Sequence, residues 1–284
     1  MHRFKLWLET IKVSHSVFAL PFALLGAFLA AGGPPGGRVL LWTVVAAVAA
    51  RTAAMTFNRL VDRRLDAANP RTAGRALATG AIPPWEAWAV VAASVAVFVL
   101  ACAALNPLTL RIAPFVLAVT LGYSLTKRFT SLAHLVLGTA LALAPLGGWV
   151  AASGSLAGYP LPLSLAVVFW VAGFDVVYAC LDEAYDRGAG LHSIPARLGR
   201  PAALVLARAF HVLAFAGFAW TGWRFGLGLP YAVGLVAAGA ALAYQHILVS
   251  PRDLSRIQLS FLTMNGLVST VLFAAAWISL WVRG

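Results

Sequence analysis

Negative charge is what this chain has least of: nine aspartates and glutamates stand against 21 lysines and arginines, for a formal net charge of +12. Cysteine is scarcer still. Cys102 and Cys180 lie in apolar surroundings without a CxxC pairing, which argues against a disulfide framework or a thiolate metal site. The polar–apolar alternation that a membrane β-barrel needs is missing, so the apolar stretches have to be helices. No HExxH, nucleophile elbow or Walker A loop is present, and GFD around Asp175 is not the GxGD of an intramembrane aspartyl protease.

What is there is apolar: 61% of the 284 residues are hydrophobic, and the mean hydropathy is +0.86. Long apolar stretches alternate with short basic or Gly/Pro-rich breaks, such as Gly32 to Gly37, Ile82-Pro83-Pro84, Asn106-Pro107 and Tyr159-Pro160. This is the pattern of an all-α, polytopic membrane protein. Nine spans are expected, near 13–31, 39–59, 84–104, 108–125, 131–151, 163–182, 201–221, 226–249 and 262–281. A first span this long is not a signal h-region, so it is expected to stay in the mature protein. No composition shift or linker divides residues 1–284, which read as a single transmembrane domain.

In a soluble protein the positive charge would point to nucleic acid. Here the basic residues fall between spans, so they report orientation and no nucleic acid partner is expected. Fifteen lie on one face of the expected bundle, and four (Arg38, Arg111, Arg224 and Arg283) on the other. The bias places the N-terminus and the loops after spans 2, 4 and 6 in the cytoplasm, with the C-terminus outside.

Six of the nine acids gather in two of those cytoplasmic regions. The first reads NRLVDRRLD, with Asn58, Asp62 and Asp66 spaced i, i+4, i+8. The second reads DVVYACLDEAYD, with Asp182 and Asp186 at i, i+4 and Asp175 two turns deeper. Arg51, Asn58 and Asp62 repeat at the spacing of Asp175, Asp182 and Asp186, which hints at an internal duplication. On a continuous helix each trio falls within ~20° of one face. Oxygen donors at this spacing suit Mg²⁺. Ordinary salt bridges with Arg63, Arg64 and Arg187 are the competing explanation. Two such pairs on one membrane face, in a chain so poor in acid, favour the metal.

Asp175 and Arg51 lie inside expected spans, where ionisable groups are costly and usually mark function. His134 and His211, also within spans, are expected as buried core histidines. Arg71 and Arg75 follow the first motif, and Tyr123, Lys127 and Arg128 end span 4 in YSLTKR. Together with metal-binding carboxylates, such cations suit a diphosphate. Glu183 points ~100° from the Asp182 stripe and is left out of the site.

These motifs, in order and with their flanks, resemble the UbiA superfamily of integral-membrane prenyltransferases. NRLVDRRLD is similar to the family's first Asp-rich motif, DEAYD to its second and YSLTK to the signature between them. The opening IKVSHSVFALPFALLGA and the segment GLHSIPARLG resemble the branch that acts on 4-hydroxybenzoate or related aromatic acids, including enzymes of the futalosine route to menaquinone. The resemblance implies nine helices around a central cavity in a bilayer, expected to be the bacterial cytoplasmic membrane. It implies Mg²⁺ held by Asn58, Asp62, Asp66, Asp182 and Asp186 on a polyprenyl diphosphate, which Arg71, Arg75 and Lys127 grip, with Tyr123 and Arg128 beside them. It also implies an aromatic acceptor near Arg51 and Asp175; Tyr178, one turn from both Asp175 and Asp182, is placed either to present its π face to an allylic cation or to pack as an ordinary aromatic. A transporter or channel using Asp175 and Arg51 is the alternative, although no pair of broken helices with matching midplane charges is visible. CDP-alcohol phosphotransferases are disfavoured by the absence of DGxxAR.

Overall fold

The computed structural model describes residues 2–12 and 16–283, which are helical and contain no strand. Residues 13–15, with which the first expected span begins, lie outside the described residues. In chain order the helices are α1 (His2–Ile11), α2 (Ser16–Ala31), α3 (Gly37–Val61), α4 (Arg63–Ala68), α5 (Pro84–Leu105) and α6 (Pro107–Thr126). There follow α7 (Ala133–Ser153), α8 (Leu161–Ala179), α9 (Glu183–Gly188), α10 (Ile194–Arg224), α11 (Leu229–Ile247) and α12 (Asn265–Arg283), the last entered through a π-helical turn at Leu259–Met264.

Local chemistry explains many of the ends. Pro84, Pro107, Pro162, Pro195 and Pro230 sit in first turns, where a missing N–H costs nothing. Asn106 caps α6 by accepting from the Thr109 N–H (2.9 Å), while its amide donates to the Val150 carbonyl of α7 (2.8 Å). Within α10, Gly199 adopts φ 76°, ψ 161° just before Pro201, so residues 194–198 form a separate turn and the span starts near the expected 201.

Seven helices among the described residues are long and apolar enough to cross a bilayer: α3, α5, α6, α7, α8, α10 and the run Leu259–Arg283. The expectation of nine therefore stands at seven on length and composition. The expected first span is the 16-residue apolar α2, and the eighth is the 19-residue α11, whose end is diluted by Gln245 and His246. Span 6 also ends early, at Ala179 rather than at 182, because the chain turns ahead of Asp182. Large apolar side chains such as Val212, Leu229, Val236 and Ile247 face outward, as a lipid-facing surface requires. Trp85 and Trp88 are exposed near one end of the bundle, and Trp223 and Trp281 near the other, the placement of interfacial aromatic belts.

The interior divides into two halves. On one side α2, α8 and α10 close around Trp170, Phe18, Phe22, Phe174 and Phe218, with the Phe22 and Phe218 rings stacked at 5.6 Å. Trp170 Nε1 donates to Asn265 Oδ1 (2.8 Å), and the Asn265 amide donates to the Phe261 carbonyl in the π-helical turn (2.9 Å), satisfying polar groups that lipid cannot. On the other side α3, α6 and α7 line a cavity.

Helices α2 and α7 meet backbone to backbone. A Cβ on Gly26 would lie 2.1 Å from the Pro145 carbonyl oxygen, and one on Gly148 would lie 1.8 Å from that of Ala23. Small residues are what permit such an approach in a membrane. Gly26→Ala is therefore expected to push the helices apart at a cost of about 1–3 kcal/mol, read as a lower thermal midpoint of the purified protein in detergent. An unchanged midpoint would contradict the contact.

Candidate active site

Both acidic motifs lie where a long helix bends into a short one. Asp62 (φ −90°, ψ 1°) joins α3 to α4, and Asp182 (φ −103°, ψ 4°) precedes α9 after α8 has ended. Each aspartate caps the short helix with its backbone: the Asp66 N–H bonds the Asp62 carbonyl (2.7 Å), and the Asp186 N–H that of Asp182 (2.8 Å). The expected straight stripe is thus corrected in part: Arg51, Asn58 and Asp62 stay on α3 and its C-cap, whereas Asp66 lies beyond the turn at Asp62 and Asp186 beyond the turn at Asp182. A long helix followed by a six-residue helix occurs twice, as α3–α4 and α8–α9, but the turns fall at Asp62 and Asp182, whereas the spacing pairs Asp62 with Asp186.

A cavity of about 750 Å³ opens between these two bends. Asn58, Asp62, Asp182, Asp186, Arg71, Arg75, Lys127 and Tyr178 line its mouth, with Arg59 beside them. Arg51, Tyr123, His134 and Asp175 line the middle, and the deep part is apolar, walled by Ala46, Ala47, Phe98, Ile112, Ala140 and Ala144. Thr43, near the far end of α3, still lines it. At 1.5 Å per residue, that is about 28 Å from Asp62, close to the full hydrocarbon thickness.

Each mouth carboxylate has its own partners. Asp62, 2% exposed, accepts from Lys127 Nζ (2.6 Å) and Arg128 Nη2 (2.8 Å), with the Asn58 amide at 3.4 Å. Asp182 accepts from the Asn69 amide (2.8 Å) and Arg71 Nε (2.7 Å), and Arg71 Nη2 bonds its second oxygen to complete a fork. Arg71 Nη1 also donates to the Tyr178 hydroxyl (3.3 Å), and its guanidinium lies 5.3 Å from that ring's centroid. Burial alone would raise the pKa of Asp182, but the hydrogen bonds from Arg71 and Asn69 outweigh it and hold it below the usual carboxylate value. Asp186 is pushed up by burial and by nearby Asp182, partly offset by a bond from Ser193.

Two expected ligands or grips are not on the cavity wall. Asp66 is turned toward Arg75 Nη1 (2.6 Å) and Arg59 (3.9 Å), because the bend at Asp62 places it on a different helix. Arg128 lies behind Asp62, where it also donates to the Val61 carbonyl (3.0 Å). Among the described residues no three of His, Cys, Asp and Glu stand together as a ready-made metal cluster. The donors at the mouth are hard oxygens, which fit Mg²⁺ by type, and cations occupy them here.

The model of the UbiA prenyltransferase family matches residues 19–282. The chain belongs to this family. Among its relatives, the 4-hydroxybenzoate octaprenyltransferase of Saccharophagus degradans is 32% identical over 85% of this chain and 81% of its own length. That of Cupriavidus necator is 31% identical over 100% of both chains. Among solved structures, the apo form of a UbiA homolog from Aeropyrum pernix superposes with a TM-score of 0.86 at 37% identity, covering 94% of this chain and 98% of that one. A UbiA homolog from Archaeoglobus fulgidus bound to DMAPP and Mg²⁺ has the same fold, with a TM-score of 0.75 at 20% identity over 97% and 99% of the two chains.

Deeper in this UbiA cavity, Arg51 Nη2 donates to the Lys12 carbonyl (3.1 Å), while its buried Nε has no partner among the described residues. Asp175 Oδ2 lies 2.7 Å from His134 Nδ1. His134 is buried as expected of a core histidine, but it lines the cavity and has a charged partner, a role that an isolated histidine in an apolar run does not advertise. Asn69 and Arg59 were likewise missed. Asn69 stands next to Pro70 and reads as a turn residue, although its position three after Asp66 was the available signal. Glu183 pairs with Arg187 and Arg200, both at 2.8 Å, off the cavity wall as the helical wheel indicates.

Removing the fork with Arg71→Ala is expected to lower stability by about 1.5–3 kcal/mol at pH 7. A depressed aspartate contributes stability that is present above its unfolded value near 4 and lost as pH falls through the folded one. The difference in thermal midpoint between wild type and Arg71→Ala should therefore narrow as pH drops below about 4. A gap independent of pH would contradict the pairing.

Proposed function

We propose that this UbiA-family protein transfers a polyprenyl group from a polyprenyl diphosphate to an aromatic acid, 4-hydroxybenzoate in the first instance, for quinone biosynthesis. The observation that carries the reading is a single cavity with a mouth of carboxylates and cations, a charged middle and an apolar depth reaching across the bundle. Each zone matches one part of the reaction: diphosphate, aromatic acid and isoprenoid tail. The named activity of relatives that align with most of the chain supports it.

Mg²⁺, when bound, neutralises a diphosphate and makes it a better leaving group. Asn58, Asp62, Asp182 and Asp186 are the residues that would hold it, being the side-chain oxygens on the mouth wall. Asp66 is assigned instead to holding Arg75 in place. Lys127 and Arg71 now bond to Asp62 and Asp182, and an entering diphosphate is the stronger anion for both. Turning to it, the two cations would free carboxylate oxygens for the metal, while Arg128 still holds Asp62 and Asn69 still holds Asp182. Arg75 and Arg59 add positive charge, and Tyr123 and Arg128 support the wall and Asp62. Below them, the Tyr178 ring lies beside the place where an allylic cation would form. Arg51 suits the acceptor's carboxylate and Asp175 its hydroxyl. The apolar depth excludes the water that would otherwise capture the cation.

The fifteen-to-four bias of basic residues supports a cytoplasmic mouth and N-terminus, with the C-terminus outside. Relatives from bacteria support the cytoplasmic membrane as the location.

Purified protein offered a polyprenyl diphosphate and 4-hydroxybenzoate should yield a product heavier by one prenyl group in mass spectrometry. Asp62→Ala and Asp182→Ala should each lower turnover about a hundredfold or more, while still inserting and purifying as monodisperse protein. EDTA should abolish turnover and Mg²⁺ restore it. Wild-type turnover in both variants, or indifference to chelator, would sink the assignment.

A further inference from the structure

Asp62, Asp66 and Asp182 each face a lysine or arginine, but the partner of Asp175 is His134. This histidine stands in the first turn of α7 and is 4% exposed. It joins three helices: its Nδ1 lies 2.7 Å from Asp175 on α8, and its Nε2 accepts the Ile194 N–H at 3.2 Å, at the start of α10.

The backbone contact decides the tautomer. An amide N–H only donates, so Nε2 must present its lone pair, and the ring hydrogen is on Nδ1, where it donates to Asp175 Oδ2. Ile194 is the first residue of α10, and its N–H is one of those a helix start leaves without an internal partner. A second hydrogen on Nε2 would oppose this donor and the positive end of the helix. His134 is therefore built as a neutral donor with a fixed ring plane.

A neutral donor orients a carboxylate without cancelling its charge. Asp175 lines the cavity with its side chain 28% exposed, so part of it remains open to a ligand. We propose that His134 is a positioning residue that anchors one oxygen of Asp175, aims the carboxylate into the cavity and so sets the affinity for the phenolic acceptor. The inference rests on the prenyl-transfer reading of this cavity. It concerns the acceptor side, because Asp62, Asp182 and Asp186 take their hydrogen bonds from residues other than His134.

Two amide replacements separate this role from mere packing. Asn places a donor near the position of Nδ1, and Gln places a polar atom near that of Nε2. His134→Asn thus preserves the bond to Asp175, whereas His134→Gln preserves the bond to Ile194. In steady-state kinetics of the purified full chain with Mg²⁺, His134→Gln should raise the KM for 4-hydroxybenzoate about tenfold, as loss of one hydrogen bond to a charged group implies. The KM for the prenyl diphosphate should stay within about twofold, and His134→Asn should recover most of the acceptor affinity. Combined with Asp175→Asn, His134→Gln should add little to the effect of Asp175→Asn alone.

The opposite ranking, with Gln near normal and Asn impaired, would overturn the proposal in favour of a cap on α10. Equal damage to both KM values, or additivity with Asp175→Asn, would overturn it as well. A wild-type protein that prenylates no phenolic acid would instead overturn the reading of the cavity, an outcome distinct from an active wild type with a normal His134→Gln variant.

Discussion

Carboxylates facing a dry, apolar interior must be compensated, and the active end of this protein is organised around that requirement. The acids of the mouth are not presented to solvent as a bare anionic patch. Lys127 and Arg128 hold Asp62, Arg71 and Asn69 hold Asp182, and Arg75 holds Asp66. The cations come from the loop after α4 and from the end of α6, so these pairings draw segments from across the bundle over one opening. The same pairs make the mouth responsive, because a ligand bringing both a diphosphate and a metal offers each partner a better one.

The bends at Asp62 and Asp182 give the pairs their geometry. A straight continuation of α3 would carry Asp66 along the stripe of Asn58 and Asp62; the turn carries it to Arg75 instead. The two bends repeat one construction, and the cavity lies between the repeats. Close packing elsewhere contrasts with the cavity lined by α3, α6 and α7. Gly26 and Gly148 bring α2 and α7 into backbone contact, while the aromatic cluster around Trp170 fills the opposite half.

Much of this was legible in the sequence because a bilayer simplifies the reading. Backbone groups in lipid must bond within their own helix, so apolar runs and Gly/Pro breaks located most helices to within a few residues. The spacing of scarce acids marked Asp62, Asp182 and Asp186, and an acid within an apolar span marked Asp175, all of which line the cavity. The count of spans was less legible, since α2 is short and α11 ends in polar residues, and length with composition alone places seven. Asp66 stands off the cavity wall because the helix on which periodicity places it turns at Asp62. His134 was read as core because its partner is 41 residues away and invisible to any local pattern.

By itself, the sequence determined the all-helical class, the bias of charge between the two faces and the residue types available for chemistry. These depend on composition and on interactions within a few residues. Only the tertiary structure decided which carboxylate meets which cation, that Asp66 and Arg128 stand behind the wall, and that Asp175 is held by a neutral histidine. Those outcomes depend on bends, close approaches and long-range pairs. In a bundle interior, a difference of one helical turn decides whether a charge faces a ligand or a partner.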